Sequence, residues 1–245
     1  MRADAFLAAL ADAPIVDLDA LVGSGGIVVL APHPDDESLG CGGLIAQARA
    51  ASRKVRIVVL TDGSGSHPLT ETLTATKLRD IREAETLRAA SELGVARTAV
   101  TFLRLPDARA PDTGPLAHAA ARTVTEAAAG CAASAVLTTW RHDPHCDHKA
   151  AAAILDLAMP SLPDTRCLAF TVWGGALAAD HEVEPALGAQ RLDVTRQRDA
   201  KRRAIAAHAS QTVGLPGDHP GAFRLDEAMI ERACGPFESF FEARS

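Results

Sequence analysis

Short apolar runs rich in β-branched residues alternate along most of the chain with longer segments of helical character. Five runs predict strands, over residues 26–31, 54–63, 98–107, 134–140 and 167–174. The segments between them predict helices over 42–53, 74–94, 115–130 and 147–159. Strands that alternate with helices form a mostly parallel sheet, and strands that are apolar throughout are covered on both faces. The pattern therefore predicts an α/β fold, a three-layer α/β/α sandwich with a mostly parallel, Rossmann-like sheet.

The two ends of the chain depart from this alternation. Residues 1–25 predict one or two short amphipathic helices and lack the charged start and long apolar block of a signal peptide. Beyond residue 175, the segment 191–211 predicts a helix with a basic face, 212–222 a loop rich in Gly and Pro, and the last twenty or so residues a helix. We expect one domain over 1–245, with 1–25 as an N-terminal helical extension and about 175–245 as a looser C-terminal portion of it.

Composition narrows the class of protein. The chain has 245 residues, of which 47% are hydrophobic and 23% charged, and its formal net charge is −6. No block of Lys and Arg suggests a nucleic-acid surface, and no apolar run is long enough to span a membrane. The five cysteines are widely spaced without a CxxC pair, which predicts free thiols and a cytoplasmic location. The oligomeric state is not predicted by any feature of the sequence.

Polar clusters follow four of the predicted strands. They read HPDDE (33–37), DGSGSH (62–67), LPDAR (105–109) and RHDPHCDH (141–148). In open α/β sheets, ligands bind beyond the carboxyl ends of the strands. Because the ends of parallel strands meet at one edge, four separate loops are expected to converge there, and this convergence predicts a functional site.

The first and last of these clusters predict a metal centre. His33 and Asp36 lie three residues apart in a turn, and His145 or His148 can add a second imidazole. Two imidazoles and a carboxylate leave coordination positions open, as in catalytic Zn²⁺ sites, although Fe²⁺ takes the same ligands. The simpler alternative is that the carboxylates only cap helices, which applies to Asp35, Asp36, Glu37 and Asp147.

The remaining charged groups suggest hydrolysis of an amide or ester. Asp35 stands beside Asp36 and is the candidate general base for a water activated by the metal. A protonated His145 is the candidate group that stabilises the oxyanion and protonates the leaving amine, and Asp147 can orient an imidazole. Trp140 and Trp173 both end strands, and core packing is expected for them.

Two glycine-rich stretches flank the first predicted strand and its polar cluster. LVGSGG (21–26) precedes the first strand instead of following it, so a dinucleotide site is improbable there. LGCGG (39–43) predicts a tight turn that lets a helix approach the metal loop closely.

The motifs PHPDDESLGCGG and RHDPHCDHKAA together resemble the PIG-L/LmbE-like zinc-dependent N-deacetylases. The likeness extends to LTDGSGSH (60–67), the segment 79–95, FLRLPDA (102–108) and KRRAIAAHASQ (201–211). The resemblance implies these roles: metal ligands His33, Asp36 and His148; general base Asp35; transition-state stabilisation by His145 with Asp147 as its orienting partner; and substrate contacts from Arg82 and Asp107.

The resemblance also implies a function and a departure from one branch of the family. Mycothiol-type members place a Tyr shortly before the second motif, whereas this chain has no Tyr and carries Asp143 there. The expected activity is removal of an N-acetyl group from an amino sugar or small glycoconjugate of the N-acetylglucosamine type. The alternatives are an amidase that removes a larger acyl group or cleaves a conjugate, and a non-catalytic sugar-binding module. An Arg82–Glu85 pair could also be a plain helix interaction, and His67, His142 and His208 have no assigned role.

Overall fold

The computed structural model describes residues 1–216 and 219–243. Its strands are β1 (Ile15–Val16), β2 (Gly26–Ala31), β3 (Val55–Thr61), β4 (Val100–Leu105), β5 (Ala133–Thr139), β6 (Arg166–Phe170), β7 (Gln190–Asp193) and β8 (Phe237–Glu242). Its α-helices are α1 (Ala3–Asp12), α2 (Leu18–Val22), α3 (Asp36–Ala50), α4 (Ala75–Glu92), α5 (Gly114–Cys131), α6 (Cys146–Ala158), α7 (Arg198–Ala207), α8 (Ala209–Thr212) and α9 (Glu227–Ala233).

The strands form one eight-stranded sheet in the order β1-β7-β8-β6-β5-β2-β3-β4. The pairs from β4 through β3, β2 and β5 to β6 are parallel, as is the β1–β7 pair, whereas β8 runs antiparallel to both β6 and β7. The predicted α/β sheet, mostly parallel, is therefore confirmed. The chain adds strands on one side of β2 and then, from β5 onward, on the other. The crevice between β2 and β5 is thus a topological switch point, the place where such sheets bind ligands.

Helices cover both faces of the sheet. Every residue of β2 is buried; its residues alternate between two cores, with Ile27 in one and Val28 in the other. The first core is closed by α2, α3, α4 and α7, and the second by α5 and α6. This is the predicted three-layer sandwich. The N-terminal segment forms α1 and α2 as expected, and Phe6 of α1 stacks on Trp140 at a centroid distance of 4.1 Å.

The C-terminal part of the chain differs from the predictions. The segment 191–211 begins in the short strand β7 and only then forms α7 and α8. The last twenty-odd residues do not form a single helix, because α9 is followed by strand β8, which inserts between β6 and β7. Residues 217 and 218 of the predicted loop, and residues 244 and 245 of the predicted terminal helix, lie outside the described residues. None of the helices within 1–216 and 219–243 combines the length and the apolar character needed to cross a membrane.

The predicted tight turn at 39–43 is instead a kink inside α3. Cys41 has φ −143° and ψ 24°, which interrupts the helical hydrogen bonds. The freed amides of Gly43 and Leu44 each donate to the Glu238 carboxylate of β8 at 2.7 Å, and Lys201 Nζ of α7 donates to the same carboxylate at 2.6 Å. A buried ion pair thus caps the second half of α3, while its first turn lies at the switch point.

Candidate metal centre

Asp36 lies at the centre of a cluster of imidazoles at the switch point. Its Oδ2 is 3.2 Å from Nδ1 of His33 and 3.3 Å from Nε2 of His148, and it also accepts the backbone N–H of His33 at 2.9 Å. His33 and Asp36 come from the β2–α3 connection, and His148 comes from the first turn of α6 after β5. The structure therefore brings together all three predicted metal ligands, although they come from separate loops.

His148 is held in place from behind by Asp143. Nδ1 of His148 lies 3.0 Å from Oδ2 of Asp143, and both residues are fully buried. The Nδ1–H donates to this carboxylate, and Nε2 is directed into the cluster. Nε2 lies 3.3 Å from Asp36 Oδ2 but makes no well-aligned hydrogen bond to any described residue. A buried imidazole nitrogen that faces a carboxylate in this way is in the environment of a metal ligand, and the carboxylate support behind it is typical of histidines in metal sites.

Three imidazole rings lie close together in this cluster. Ligand atoms of His33, His145 and His148 lie within 4.8 Å of one another, and a second such group joins Asp107 and Asp147 to His33 and His145. Imidazole nitrogens and carboxylate oxygens are the donors that Zn²⁺ and other divalent transition metals take. The residues present therefore fit a divalent metal ion. The first group contains His145 in addition to the predicted ligands His33 and His148, and Asp36 contacts both of these predicted ligands.

Asp35 is buried beside the cluster and is not a helix cap. It precedes α3, but its side chain makes no capping hydrogen bond. Instead Oδ2 accepts from Arg82 Nη2 at 3.0 Å, and the backbone adopts φ 156° and ψ −23°, a conformation that side chains rarely permit. Burial raises the pKa of Asp35, Arg82 lowers it, and repulsion from Asp36 raises it again, to about 6. A carboxylate with that pKa can both take and return a proton near neutral pH.

Arg82 and Asp107 both line the site, but each is also engaged within the protein. The Arg82 guanidinium donates to Asp35 and to the carbonyls of Pro34 and Gly63. Asp107 lies 3.3 Å from Nε2 of His33 and accepts the N–H of Gly65 at 2.8 Å. The Arg82–Glu85 helix pair does not form; Glu85 instead accepts two hydrogen bonds from Ser210.

Asp147 contacts a different imidazole from the one expected. Its Oδ2 lies 3.0 Å from Nε2 of His33, but 3.9 Å from Nδ1 of His145. The same carboxylate accepts the N–H groups of Ala108 and Ala110. The carboxylate of Asp147 therefore orients His33, and it ties the loop after β4 to the metal cluster. The capping alternative also fails for Asp147, because the N-cap of α6 is His145.

His145 is held as a neutral donor instead of the protonated ring expected from the sequence. Its Nδ1 accepts the backbone N–H of Asp147 at 3.2 Å, so the proton of the neutral ring lies on Nε2. Burial and the nearby His33 and His148 lower the pKa of His145. The ring is partly exposed and packs edge-on against His33, with centroids 4.5 Å apart.

A cavity of about 210 Å³ opens beside these groups. Its lining joins six of the predicted site residues with two aromatic rings that the sequence analysis did not assign to the site. Trp173, expected in the core, is half-buried and lines this cavity together with Phe223. No sequence signal marks Phe223, which comes directly after the predicted loop at 212–222. The lining includes His33, Asp35, Asp36, Gly65, Ser66, Arg82, Asp107, His145, Trp173 and Phe223.

The three histidines without assigned roles lie around this site. His208 is fully buried, and its Nε2 is 3.1 Å from Oε1 of Glu37 in the first turn of α3. His67 pairs through Nδ1 with Ser66 Oγ at 2.9 Å. His142 approaches Glu184 at 3.7 Å. None of the three belongs to the metal-ligand groups found among the described residues.

Comparison with known proteins decides the family. The family profile of the PIG-L proteins, described as GlcNAc-PI de-N-acetylase, matches residues 28–159, which is more than half of the chain. The chain belongs to the PIG-L family. The matched region begins within β2 and ends directly after α6, so it contains both halves of the metal cluster.

Individual relatives agree with this placement. A probable N-acetyl-alpha-D-glucosaminyl L-malate deacetylase 2 of Bacillus subtilis (strain 168) is 26% identical over 197 residues, covering 77% of this chain and 84% of the relative. The crystal structure of the zinc-inhibited form of teicoplanin deacetylase Orf2 has a TM-score of 0.64 at 20% identity, covering 88% of this chain and 97% of that one. Such a likeness confirms the PIG-L fold.

The fold by itself does not decide the reaction within this group. GalB, the 4-carboxy-2-hydroxymuconate hydratase of Pseudomonas putida KT2440, superposes with a TM-score of 0.62 at 19% identity, covering 86% of this chain and 83% of that one. One fold therefore carries different chemistries. What this member of the PIG-L family does has to be argued from its own side chains.

Proposed function

We propose that this protein is a metal-dependent hydrolase that removes an N-acetyl group from an amino sugar or small glycoconjugate of the N-acetylglucosamine type. The observation that carries the proposal is the contact of Asp36 Oδ2 with both His33 Nδ1 and His148 Nε2, with the buried Asp35 carboxylate beside them. Membership of a family described as de-N-acetylases and the deacetylase named for the Bacillus subtilis relative support the choice of bond.

His33, Asp36 and His148 would hold the metal, for which we propose Zn²⁺, with Fe²⁺ as the alternative that the same ligands accept. When bound, such an ion polarises the amide carbonyl and lowers the pKa of water towards about 7. Asp143 behind His148 and Asp147 behind His33 fix the two rings, so that the ligand nitrogens need no rearrangement.

The side chains around the ligands perform the proton transfers. Asp35 takes a proton from the attacking water as its oxygen bonds to the acetyl carbon, and Arg82 keeps this carboxylate aimed into the cavity. His145 donates from Nε2–H to the oxyanion of the tetrahedral intermediate. The C–N bond then breaks as the proton held by Asp35 passes to the leaving nitrogen. The products are acetic acid and the free amine, and at neutral pH the proton of the acid passes to the amine, so that acetate and an ammonium group leave and atoms and charge balance.

Turnover and metal binding provide separate tests of this proposal. In zinc-loaded protein assayed for acetate release from an N-acetylglucosamine glycoside, Asp35→Asn is expected to retain zinc and lose at least about a hundredfold in kcat. His148→Ala is expected to lose both zinc and turnover. Asp62→Asn is the matched control, because Asp62 accepts only from Ser64 in the loop after β3 and does not line the cavity.

Three results would overturn this assignment. Full activity of Asp35→Asn would exclude Asp35 as the base. Activity on long-chain N-acyl glucosamines without activity on the N-acetyl compounds would replace the deacetylase with an amidase for larger acyl groups. Sugar binding without any chelator-sensitive hydrolysis would leave a non-catalytic binding module.

We further propose that residues 1–245 act as one deacetylase domain. Strand β1 from the N-terminal segment and strands β7 and β8 from the C-terminal portion belong to the same sheet as the metal loops, which supports this view. The cytoplasmic location stays a prediction from the cysteine pattern.

A further inference from the structure

Two aromatic rings form one wall of the cavity that contains Asp35 and His145. The Trp173 and Phe223 ring centroids are 5.6 Å apart, with an angle of 72° between the ring planes. The chain has only nine aromatic residues, seven Phe and two Trp. Phe6, Phe170 and Phe240 are among the largest fully buried side chains, whereas Trp173 and Phe223 keep part of their surface open.

Backbone hydrogen bonds anchor both rings to the loops of the metal site. Trp173 N–H donates to Asp143 Oδ2 at 3.2 Å, the same oxygen that holds His148. Phe223 N–H donates to the carbonyl of Ser66 at 2.7 Å. The wall is therefore fixed relative to the reacting groups before any substrate arrives, which lowers the cost of ordering it on binding.

The rest of the lining offers little positive charge to pair with an anionic aglycone. Arg82 supplies the only guanidinium or ammonium group among the described lining residues; its Nη1 and Nη2 already donate to Asp35, Pro34 and Gly63, and its Nε is buried. Asp107 adds a carboxylate at the same surface. A negatively charged substituent would thus lose its hydration near carboxylates without gaining a partner, which is unfavourable.

The size of the cavity matches one sugar ring, so the aglycone attached to that ring would extend towards the aromatic wall. A volume of about 210 Å³ is below the range of about 300–1,000 Å³ of pockets that enclose drug-sized ligands. A single acetylated sugar ring fits that scale, and the group attached to it then meets the partly exposed rings of Trp173 and Phe223.

Resting on the proposed deacetylase function, we propose that the substrate is an N-acetyl amino-sugar glycoside with an uncharged, apolar aglycone, and that Trp173 and Phe223 select this aglycone. The Bacillus subtilis relative is named for an L-malate conjugate, whose aglycone carries carboxylates. The wall and the charges of this chain favour a different substrate class for the same type of bond.

Matched glycosides test this specificity. The zinc-loaded protein is assayed with methyl, phenyl and L-malyl glycosides of N-acetylglucosamine, and kcat/KM is compared. The phenyl glycoside is expected to exceed the methyl glycoside by roughly tenfold, the scale of one aromatic contact, and the malyl glycoside is expected to be the poorest. Trp173→Ala and Phe223→Ala should remove the phenyl preference, because kcat/KM for the phenyl glycoside is expected to fall roughly tenfold further than kcat/KM for the methyl glycoside. Trp173→Phe should restore most of the preference.

Phe237→Ala is the control variant, because Phe237 is an exposed aromatic that stacks under Arg191 and does not line the cavity. Binding of the same glycosides to zinc-loaded Asp35→Asn is measured by calorimetry. Hydrolysis that favours the malyl glycoside, or a phenyl preference that survives Trp173→Ala and Phe223→Ala, would overturn the specificity. Phenyl-selective binding that depends on Trp173, without hydrolysis by the wild type, would support the wall and overturn the deacetylase. Absence of both binding and hydrolysis would overturn both.

Discussion

The Asp143 carboxylate joins His148 to the wall of the cavity through one oxygen. Oδ2 lies 3.0 Å from His148 Nδ1 and also accepts the N–H groups of Val172 and Trp173, while Oδ1 accepts from Thr171 Oγ1 at 2.5 Å. The residue that orients a metal ligand thus also fixes the start of the loop after β6. The candidate metal ligand His148 and the cavity wall at Trp173 therefore share one support.

Asp143→Asn is therefore expected to weaken zinc binding by about 10–100-fold, the usual cost of removing a supporting carboxylate. Competition with a chromogenic chelator measures this affinity directly. Asp156→Asn is a suitable control, because Asp156 lies in α6, the helix that carries His148, and pairs with Arg141. Zinc affinity unchanged in Asp143→Asn would show that the His148–Asp143 contact has no influence on the metal site.

Removing Arg82 is expected to shift the acidic limb of the pH–activity profile. Asp35 must be deprotonated to act as the base, so activity is present above its pKa and lost as the pH falls through it. Arg82 lowers this pKa, so Arg82→Gln should move the acidic limb to higher pH as well as reduce kcat. Arg79→Gln, on the same helix but paired with Asp80, should leave the limb in place. If the acidic limb of Arg82→Gln stays at the same pH, the pKa that sets this limb does not belong to Asp35.

Metal binding is expected to release protons at neutral pH. Burial lowers the pKa of His148, but the carboxylates of Asp36 and Asp143 outweigh burial and raise it to about 9. The metal-free imidazole is therefore protonated at about pH 7, and that proton must leave before the nitrogen can bind a metal. Zinc titration by calorimetry in two buffers of different ionisation enthalpy should show the release of about one proton or more. Heats of zinc binding that are the same in both buffers would contradict the release of protons.

Breaking the buried pair behind the α3 kink is expected to destabilise the fold. Lys201 and Glu238 are both buried and in contact at 2.6 Å. Lys201→Met leaves a buried carboxylate without its cation, which costs about 3–5 kcal/mol in the free energy of unfolding. The double variant Lys201→Met/Glu238→Gln should recover part of this loss. Urea unfolding measures it, and Arg202→Met, which breaks the neighbouring exposed pair with Glu231, should change stability little.

The sequence was sufficient to predict the parallel part of the sheet and the meeting of its loops. Strand β2 is apolar throughout and β5 has an apolar centre, and charged clusters follow both strands, so the pattern and the position of these clusters predicted the site. Strand β8 was missed because Glu238 occupies a buried position of it. Glu238 is paired with Lys201 of α7, which is distant from it in the sequence. The local sequence therefore shows a charged residue where the alternation typical of a strand requires a buried apolar one.

The supporting contacts within the site could not be predicted in the same way. Asp147 contacts His33 instead of His145 because His145 is the N-cap of α6 and its ring accepts the backbone N–H of Asp147. Trp173 lines the cavity because Asp143 captures its backbone N–H. Both outcomes depend on which amide a carboxylate reaches after folding, and the spacing of residues along the chain does not encode this.

The position of the ligands on either side of the switch point has a consequence for how the protein matures. His33 and Asp36 follow β2, whereas His148 follows β5, and the two strands become neighbours only when the connection through β3, β4 and α5 is complete. A nascent or truncated chain that ends before α6 has only two of the three proposed metal ligands. Acquisition of the metal would thus act as a checkpoint on assembly, and an incompletely folded chain would be hydrolytically silent.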